Sequence, residues 1–311
     1  MSWALNNVPN DAVGIIGLGH MGAPMAARLL ASGRQVYGVD TNASVRESAA
    51  ASGVTVVASA TDLAKTVETI ILMLPNSDIV DSIAGYLTAG DRASRRCRFV
   101  IDMSSSEPRR TQQLSERLSK DGVELIDAPV SGGVPGAIAG NLTIMVGGTE
   151  EQYERIVPLL SVLGSRIVHV GAVGAGHATK ALNNLLSATH LLATNEAAIV
   201  ASRFGIDPHV LLSVVNTSSG RSGSSEVKLP RYVLTGDFNS GFSATLLEKD
   251  VKIAAALAAD LGIETVIGDA VARRWSELNA ELPASADHTE IIKPLERRAG
   301  LEVRSRSSRP S

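Results

Sequence analysis

Two patterns of apolar and polar positions divide the chain. Up to about residue 171, short aliphatic runs alternate with amphipathic stretches. The runs "AVGIIGL", "QVYGVD", "VTVV", "TIILML", "RFVIDM", "ELIDAPV", "LTIMVGG" and "RIVHV" are predicted strands. The segment "HMGAPMAARLLAS" is predicted helical and stops at Gly33; "PRRTQQLSERLSK" starts on Pro108 and stops at Gly122. Strands that are apolar along their length and alternate with helices predict a mostly parallel, doubly wound sheet covered on both faces.

Beyond Gly171 the strand signals largely stop. One long helix is predicted from about Ala175 to Phe204, ended by Gly205. "DPHVLLSVVN" opens a second, with Asp207 as N-cap and Pro208 in the first helical position. "SATLLEKDVKIAAALAADLG", "DAVARRWSELNAE" and the shorter, Pro-containing "DHTEIIKPLERRAG" continue an all-helical second half. A chain of 311 residues exceeds what one core usually organises. The expected domains are therefore an α/β domain at 1–172, an all-α domain at 173–300, and a polar tail, 301–311, that frays. The long helix is apolar around most of its circumference, as "LLSATHLLATNEAAIVA" shows. A helix apolar all round is a buried one. The expected assembly is a homodimer or homotetramer joined through the helical domains.

Composition narrows the function classes. The formal net charge of −3 has no basic excess to draw in nucleic acid or an anionic membrane. No apolar run is long enough to span a bilayer. Cys97 is the single cysteine, so no intrachain disulfide forms. The N-terminal "MSWALNNVPND" lacks the marks of a signal or transit peptide. The expected location is cytoplasmic. The histidines fall in no metal-ligand spacing, and no metal is expected.

The first chemical motif is "GIIGLGHMG", which places Gly17, Gly19 and Gly22 as G-x-G-x-x-G between a strand and a helix. Leu18, His20 and Met21 complete that loop. Gly17 allows the tight turn, Gly19 admits a pyrophosphate to the helix N-terminus, and Gly22 allows helix and strand to pack closely. Asp40, at the end of the second predicted strand, stands about 20 residues further on, where the dinucleotide-binding Rossmann-type fold carries an acid for the ribose hydroxyls. A carboxylate there repels a 2′-phosphate, and Thr41 and Asn42 supply no basic replacement. NAD is favoured over NADP. Taken alone, Asp40 also reads as a turn or cap for the helix that follows.

Other candidates are weaker one by one. Gly176, Lys180 and Asn184 recur every fourth residue along one face of the long helix. An isolated K-x-x-x-N is usually a snorkelling lysine with a satisfied asparagine. Here it falls where the α/β domain hands over to the helical one, and interdomain clefts commonly hold substrate. Partial desolvation there suits a lysine to proton transfer. "DAPVSGG" ends a strand with the Ser131 hydroxyl and the backbone N–H groups of Gly132 and Gly133, a nest for a carboxylate or a plain turn. "VIDMSSSEP" puts Ser104, Ser105 and Ser106 at a strand end, where doubly wound sheets bind ligands, or simply caps the next helix. "EKD", residues 248–250, reads as a solvated helix face. "NTSSGRSGSSEVK", with Arg221 and Lys228, reads as a second anion-binding region or, slightly better, a solvated loop.

Together, "GIIGLGHMGAPMAARLL", "LPNSDIV", "DAPVSGGVPGAIAGNLTIMVGG", "GAGHATKALNN", "GFSATLLEKD" and "DHTEIIKPLE" resemble the β-hydroxyacid dehydrogenase family, in this order and over nearly the whole chain. That family includes 3-hydroxyisobutyrate dehydrogenase, tartronate semialdehyde reductase and L-threonate dehydrogenase. The resemblance implies an NAD(P)-dependent oxidoreductase for a small 3-hydroxy acid. It makes Lys180 the general acid/base, Asn184 the residue that positions substrate or lysine, and Ser131, Gly132 and Gly133 the grip on the substrate carboxylate. Leu74 and Pro75 fall beside the cofactor, and Lys249 matches a late lysine that reaches the cofactor region. Ser105 stands where the family commonly has Thr, so the hydroxyl is kept and the methyl lost. Imine reductases share the architecture but usually carry Asp or Tyr in place of Lys180. The decarboxylating 6-phosphogluconate dehydrogenases are much longer. A non-catalytic dinucleotide sensor would have no use for Lys180, Asn184, Ser131 and Lys249 together. The substrate is not identified by any of these stretches.

Overall fold

A computed structural model describes residues 12–304. The N-terminal stretch inspected above for targeting signals, and residues 305–311 of the tail, lie outside the described residues. The chain forms two compact units, Met1–Lys180 and Ala181–Ser311.

The first unit is built on a nine-stranded sheet. Its elements run β1 (Val13–Ile16), α1 (Gly22–Ala31), β2 (Val36–Val39), α2 (Ala43–Ala51), β3 (Thr55–Val56), α3 (Ala60–Thr66), β4 (Thr69–Leu72), α4 (Ser77–Thr88), β5 (Phe99–Asp102), α5 (Pro108–Lys120), β6 (Glu124–Asp127), β7 (Val130–Ser131), α6 (Gly133–Ala139), β8 (Leu142–Gly147), α7 (Glu150–Leu160) and β9 (Gly164–Gly171). The spatial order is β3-β2-β1-β4-β5-β6-β8-β7, with β9 on β8. The first six strands are parallel; β8 meets β6 and β7 antiparallel and β9 parallel. This is the Rossmann-type doubly wound sheet. Strand order reverses between β1 and β4, and the crevice beyond their C-terminal ends is where such sheets bind ligands.

Both faces are covered, which is why the strands read as unbroken apolar runs. On one face Ile15, Ile71 and Ile101 pack with Met25, Leu29, Ile156 and Leu160. On the other, Ile16, Ile70 and Val100 pack with Leu63, Leu87, Leu114 and Leu118. The two-residue strand β7 escapes sequence patterning because so short a run carries no period; its pairing with Thr143 and Ile144 makes it a strand.

The second unit is helical. It comprises most of α8 (Ala175–Phe204), then α9 (Pro208–Val215), a π-helix at Ser224–Val233, α10 (Ala244–Asp260), α11 (Val266–Asn279), a short 3₁₀ turn at His288–Ile291 and α12 (Ile292–Ala299). Leu191, Leu229, Val233, Trp275, Leu278 and Ile291 form its core. The last residues of the stretch read as a solvated loop, from Ser224, begin the π-helix. Ser222 and Ser225 exchange side-chain and backbone hydrogen bonds at its start, and Ser224, Ser225 and Leu229 are buried. The tail expected to fray from 301 stays packed through Arg304. Val303 is fully buried, its N–H donates to Glu296 Oε1 at 2.7 Å, and the Arg304 guanidinium bonds the same oxygen. Among the described residues no helix is long and apolar enough to cross a membrane.

Candidate active site

The glycine loop 17–22 closes the end of β1. Gly17 has φ +93°, and a Cβ on it would strike the Met73 carbonyl oxygen. A Cβ on Gly22 would strike the Gly17 carbonyl oxygen. Gly19 differs: nothing lies within 4 Å of where its Cβ would be, so the loop leaves open space there for a ligand. His20 is exposed and Met21 partly buried, while Leu18 turns its side chain into the core. The Leu18 N–H donates to Asp40 Oδ2 at 2.8 Å, and the Asn42 N–H donates to Oδ1 at 2.8 Å. Asp40 thus braces the glycine loop and caps the turn into α2, with a lone pair on each oxygen still able to accept from a ribose hydroxyl. Arg46, which the sequence reading passed over, points its Nη1 at the carbonyl oxygens of Asp40 and Thr41, at 2.9 and 2.8 Å.

Leu74 and Pro75 follow β4 at the same end of the sheet. The Leu74 N–H donates to Ser104 Oγ at 2.9 Å, tying the β4 and β5 loops together. Ser104 and Ser106 face inward onto Asp102: the Ser104 N–H donates to Oδ1 at 3.0 Å and the Ser106 hydroxyl to Oδ2 at 2.9 Å. Ser105, between them, is partly exposed. Ser131 ends β7 and is partly buried; Gly132 and Gly133, with φ +129° and +61°, are exposed at the start of α6. The nest read from the sequence is therefore the N-terminus of a short helix.

A buried polar cluster that the sequence reading missed lies at the ends of β5 and β6. Asp102 and Asp127 are directly paired in register on these adjacent strands. Both are buried, as is His177 in the first turn of α8. Asp127 accepts the N–H groups of Gly174 at 2.7 Å and His177 at 2.8 Å. Burial pushes the Asp127 carboxyl above its ordinary range; His177 and these two N–H groups pull the other way and do not offset it. The legible signal was the repeated ending "VID" and "LID", an acid closing an otherwise wholly buried strand.

Lys180 is the last residue of the first unit and is partly buried. Asn184 follows four residues later in the same helix and belongs to the second unit. Its Nδ2 donates to Asp250 Oδ2 at 2.6 Å, and its Oδ1 accepts from Asn183 at 3.2 Å. Asp250 is only 2% exposed, so "EKD" is not a solvated face throughout. Lys249 Nζ stands 3.1 Å from Asp250 Oδ1. Asp250 lies on the stripe Leu247, Asp250, Val251, Ala254 that α10 buries, and an acid on such a stripe was a readable sign. Among the described residues no group of histidines, cysteines and carboxylates has the arrangement of a metal site.

Residues 12–171 match the family model described as the NAD binding domain of 6-phosphogluconate dehydrogenase. Residues 174–295 match the NAD-binding region of NADP-dependent 3-hydroxyisobutyrate dehydrogenase. The 2-(hydroxymethyl)glutarate dehydrogenase of Eubacterium barkeri is 38% identical over 242 residues, 78% of this chain and 80% of that one. The mitochondrial 3-hydroxyisobutyrate dehydrogenase of Drosophila melanogaster is 38% identical over 252 residues, 79% and 77%. The solved structure of Mycobacterium tuberculosis 3-hydroxyisobutyrate dehydrogenase with L-serine superposes with a TM-score of 0.85 at 32% identity, covering 92% of this chain and 99% of that one.

Proposed function

This chain belongs to the β-hydroxyacid dehydrogenase family, NAD(P)-dependent oxidoreductases acting on CH–OH groups, and on that premise we propose that it oxidises a 3-hydroxy acid bearing a primary hydroxyl, with NAD as cofactor and Lys180 as general acid/base. The observation that carries the reading is the combination, in one chain, of the open space over Gly19 beside Asp40 with Lys180 and Asn184 on α8. The molecules in the relatives' names point to the substrate class. 3-Hydroxyisobutyrate, 2-(hydroxymethyl)glutarate and L-serine share a CH₂OH group on the carbon that bears a carboxylate.

The loop 17–22 and Asp40 hold the dinucleotide: the N-terminus of α1 takes the pyrophosphate and Asp40 the adenosine ribose. Leu74, Pro75 and Ser105 complete its contacts within this unit. Bound NAD supplies the hydride acceptor for oxidation, or as NADH the donor for reduction. Ser131, Gly132 and Gly133 grip the substrate carboxylate, with the N–H groups at the head of α6 as donors. Lys180 as free amine takes the hydroxyl proton as the carbonyl forms, and as ammonium returns it on reduction. Asn184, its amide held by Asp250, orients the hydroxyl. The α/β domain thus serves the cofactor and the substrate carboxylate, and the helical domain supplies Asn184 and the assembly surface.

NADH formation with a panel of such hydroxy acids tests the reading, and serine and 2-substituted 3-hydroxypropionates should be turned over. NAD should be preferred to NADP, because Asp40 repels a 2′-phosphate and Arg46 is spent on main-chain carbonyls. Asp40→Ala should narrow that preference. Tighter binding of NADP by the native protein would sink the assignment of cofactor.

The helical unit also exposes Leu186, Val200, Phe204, Val210, Val214, Val266 and Ile267, each more than half exposed. Large apolar side chains at that density mark a surface that another protein covers. The proposed assembly is a homodimer or homotetramer through these helices. Light scattering at micromolar concentration should give at least twice the 32.4 kDa chain mass; the mass of one chain would refute it.

A further inference from the structure

We propose that Asp127 and His177 are positioning residues for Lys180: they clamp the first turn of α8 to the sheet and so fix where the lysine amine stands. The proposal rests on the acid/base reading of Lys180 and concerns residues of the first unit only.

The clamp has three parts. Asp127 receives both N–H groups it can reach at the head of the helix, Gly174 on Oδ1 and His177 on Oδ2. Free N–H groups at a helix start need such acceptors. Gly176 brings the helix backbone directly onto the sheet: a Cβ there would strike the Met145 carbonyl oxygen and lie 2.8 Å from Asp127 Oδ2. The imidazole of His177 pins the same turn to α5, with Nδ1 2.8 Å from Thr111 Oγ1. Thr111 Oγ1 also reaches the Glu107 carbonyl oxygen one turn earlier, at 3.1 Å, so the contact is anchored in α5 itself.

The other ring nitrogen is what sets this cluster apart from an ordinary cap. Nε2 is buried without a hydrogen-bond partner and faces Asp102 Oδ2 at 3.7 Å. Asp102 in turn holds Ser104 and Ser106, on either side of Ser105. The imidazole therefore stands between the strand end that carries the cofactor-side serines and the helix that carries Lys180. Lys180 follows His177 by three residues, less than one helical turn, so a shift of the clamped turn moves the amine with it. Placement errors of about 1 Å cost catalysis about a hundredfold.

The test uses the full-length protein and three substitutions, each alone and with Lys180→Ala: His177→Ala, His177→Asn and Asp127→Asn. His177→Ala should lower kcat about tenfold to a hundredfold and leave the NADH dissociation constant, read by fluorescence, within about twofold. His177→Asn puts an amide group, able to donate or accept, near the place of Nδ1 and should recover most of kcat. Asp127→Asn keeps the shape but offers one acceptor to two N–H groups, and should also lower kcat; it stands in if His177→Ala fails to fold. In the Lys180→Ala background none of the three substitutions should change the residual rate by more than about twofold, because the group they position is gone. An equal loss in both backgrounds would make the cluster merely structural and overturn the proposal. So would native kcat in His177→Ala and Asp127→Asn while Lys180→Ala has collapsed, which leaves the acid/base reading standing. Near-native turnover by Lys180→Ala alone would remove that reading and this proposal with it.

Discussion

Lys180→Ala should lose about 10²- to 10⁴-fold in turnover, the usual contribution of a positioned acid or base. It should keep its fold and its affinity for NAD, because the loop 17–22 and Asp40 are built from β1, α1 and β2 and do not involve the lysine. Lys180→Arg should not restore the rate: guanidinium stays protonated and its planar fork does not replace an ammonium. Native oxidation should climb with pH as the ammonium gives up its proton, and that climb should be missing from the residual rate of Lys180→Ala. The measurement is a pH series of initial rates for the best hydroxy acid, with cofactor affinity checked separately. If Lys180→Ala kept near-native turnover, Lys249 would be the next candidate.

Asp287→Ala should cost about 3 kcal/mol of stability, the scale of a broken, nearly buried set of charge-assisted hydrogen bonds. Its carboxylate accepts the Ser240 hydroxyl at 2.7 Å, the Gly241 N–H at 3.0 Å, and both the N–H and the hydroxyl of Thr289, at 2.9 and 2.6 Å. It joins the segment before α10 to the 3₁₀ turn before α12. Burial pushes this carboxyl up, but hydrogen bonds from His288, Thr289 and Ser240 outweigh it and hold it well below the usual carboxylate range. A depressed folded-state value stabilises the fold above the unfolded value of about 4, and the contribution disappears as pH falls through the folded value. Urea unfolding at neutral pH should show the full gap between native and variant protein, and the gap should shrink in strong acid. A gap below about 1 kcal/mol at pH 7, the size of one neutral bond, would show that Asp287 is dispensable.

Much of the fold was legible because its signals are local. α5 spans Pro108–Lys120, between the proline and glycine that marked its ends, and α8 spans Ala175–Phe204 before Gly205. Caps act on the next few residues, and an apolar run needs only its own length to be recognised. The glycine loop 17–22 was legible for the same reason, as strand, glycines and helix are contiguous. The segments that escaped were those whose conformation is set from elsewhere. β7 is a strand only because β8 lies beside it. The π-helix at Ser224–Val233 opens with serines and a lysine that read as a loop, and it is held by burying Leu229 and Val233.

The sequence by itself determined the class of fold, the glycine loop with the acid that braces it, and which helix carries the lysine and asparagine. It did not determine which carboxylates are buried or what they hold. Asp127 meets the His177 N–H across 50 residues of chain, Asn184 meets Asp250 across 66, and Ser240 meets Asp287 across 47. Asp127 closes an apolar strand and Asp250 sits on an apolar stripe, which marks them without naming their partners, and Asp287 looks like a simple cap; an ionised carboxylate is stable inside a protein only where donors converge on it. Those donors come from distant segments, and tertiary packing alone brings them together.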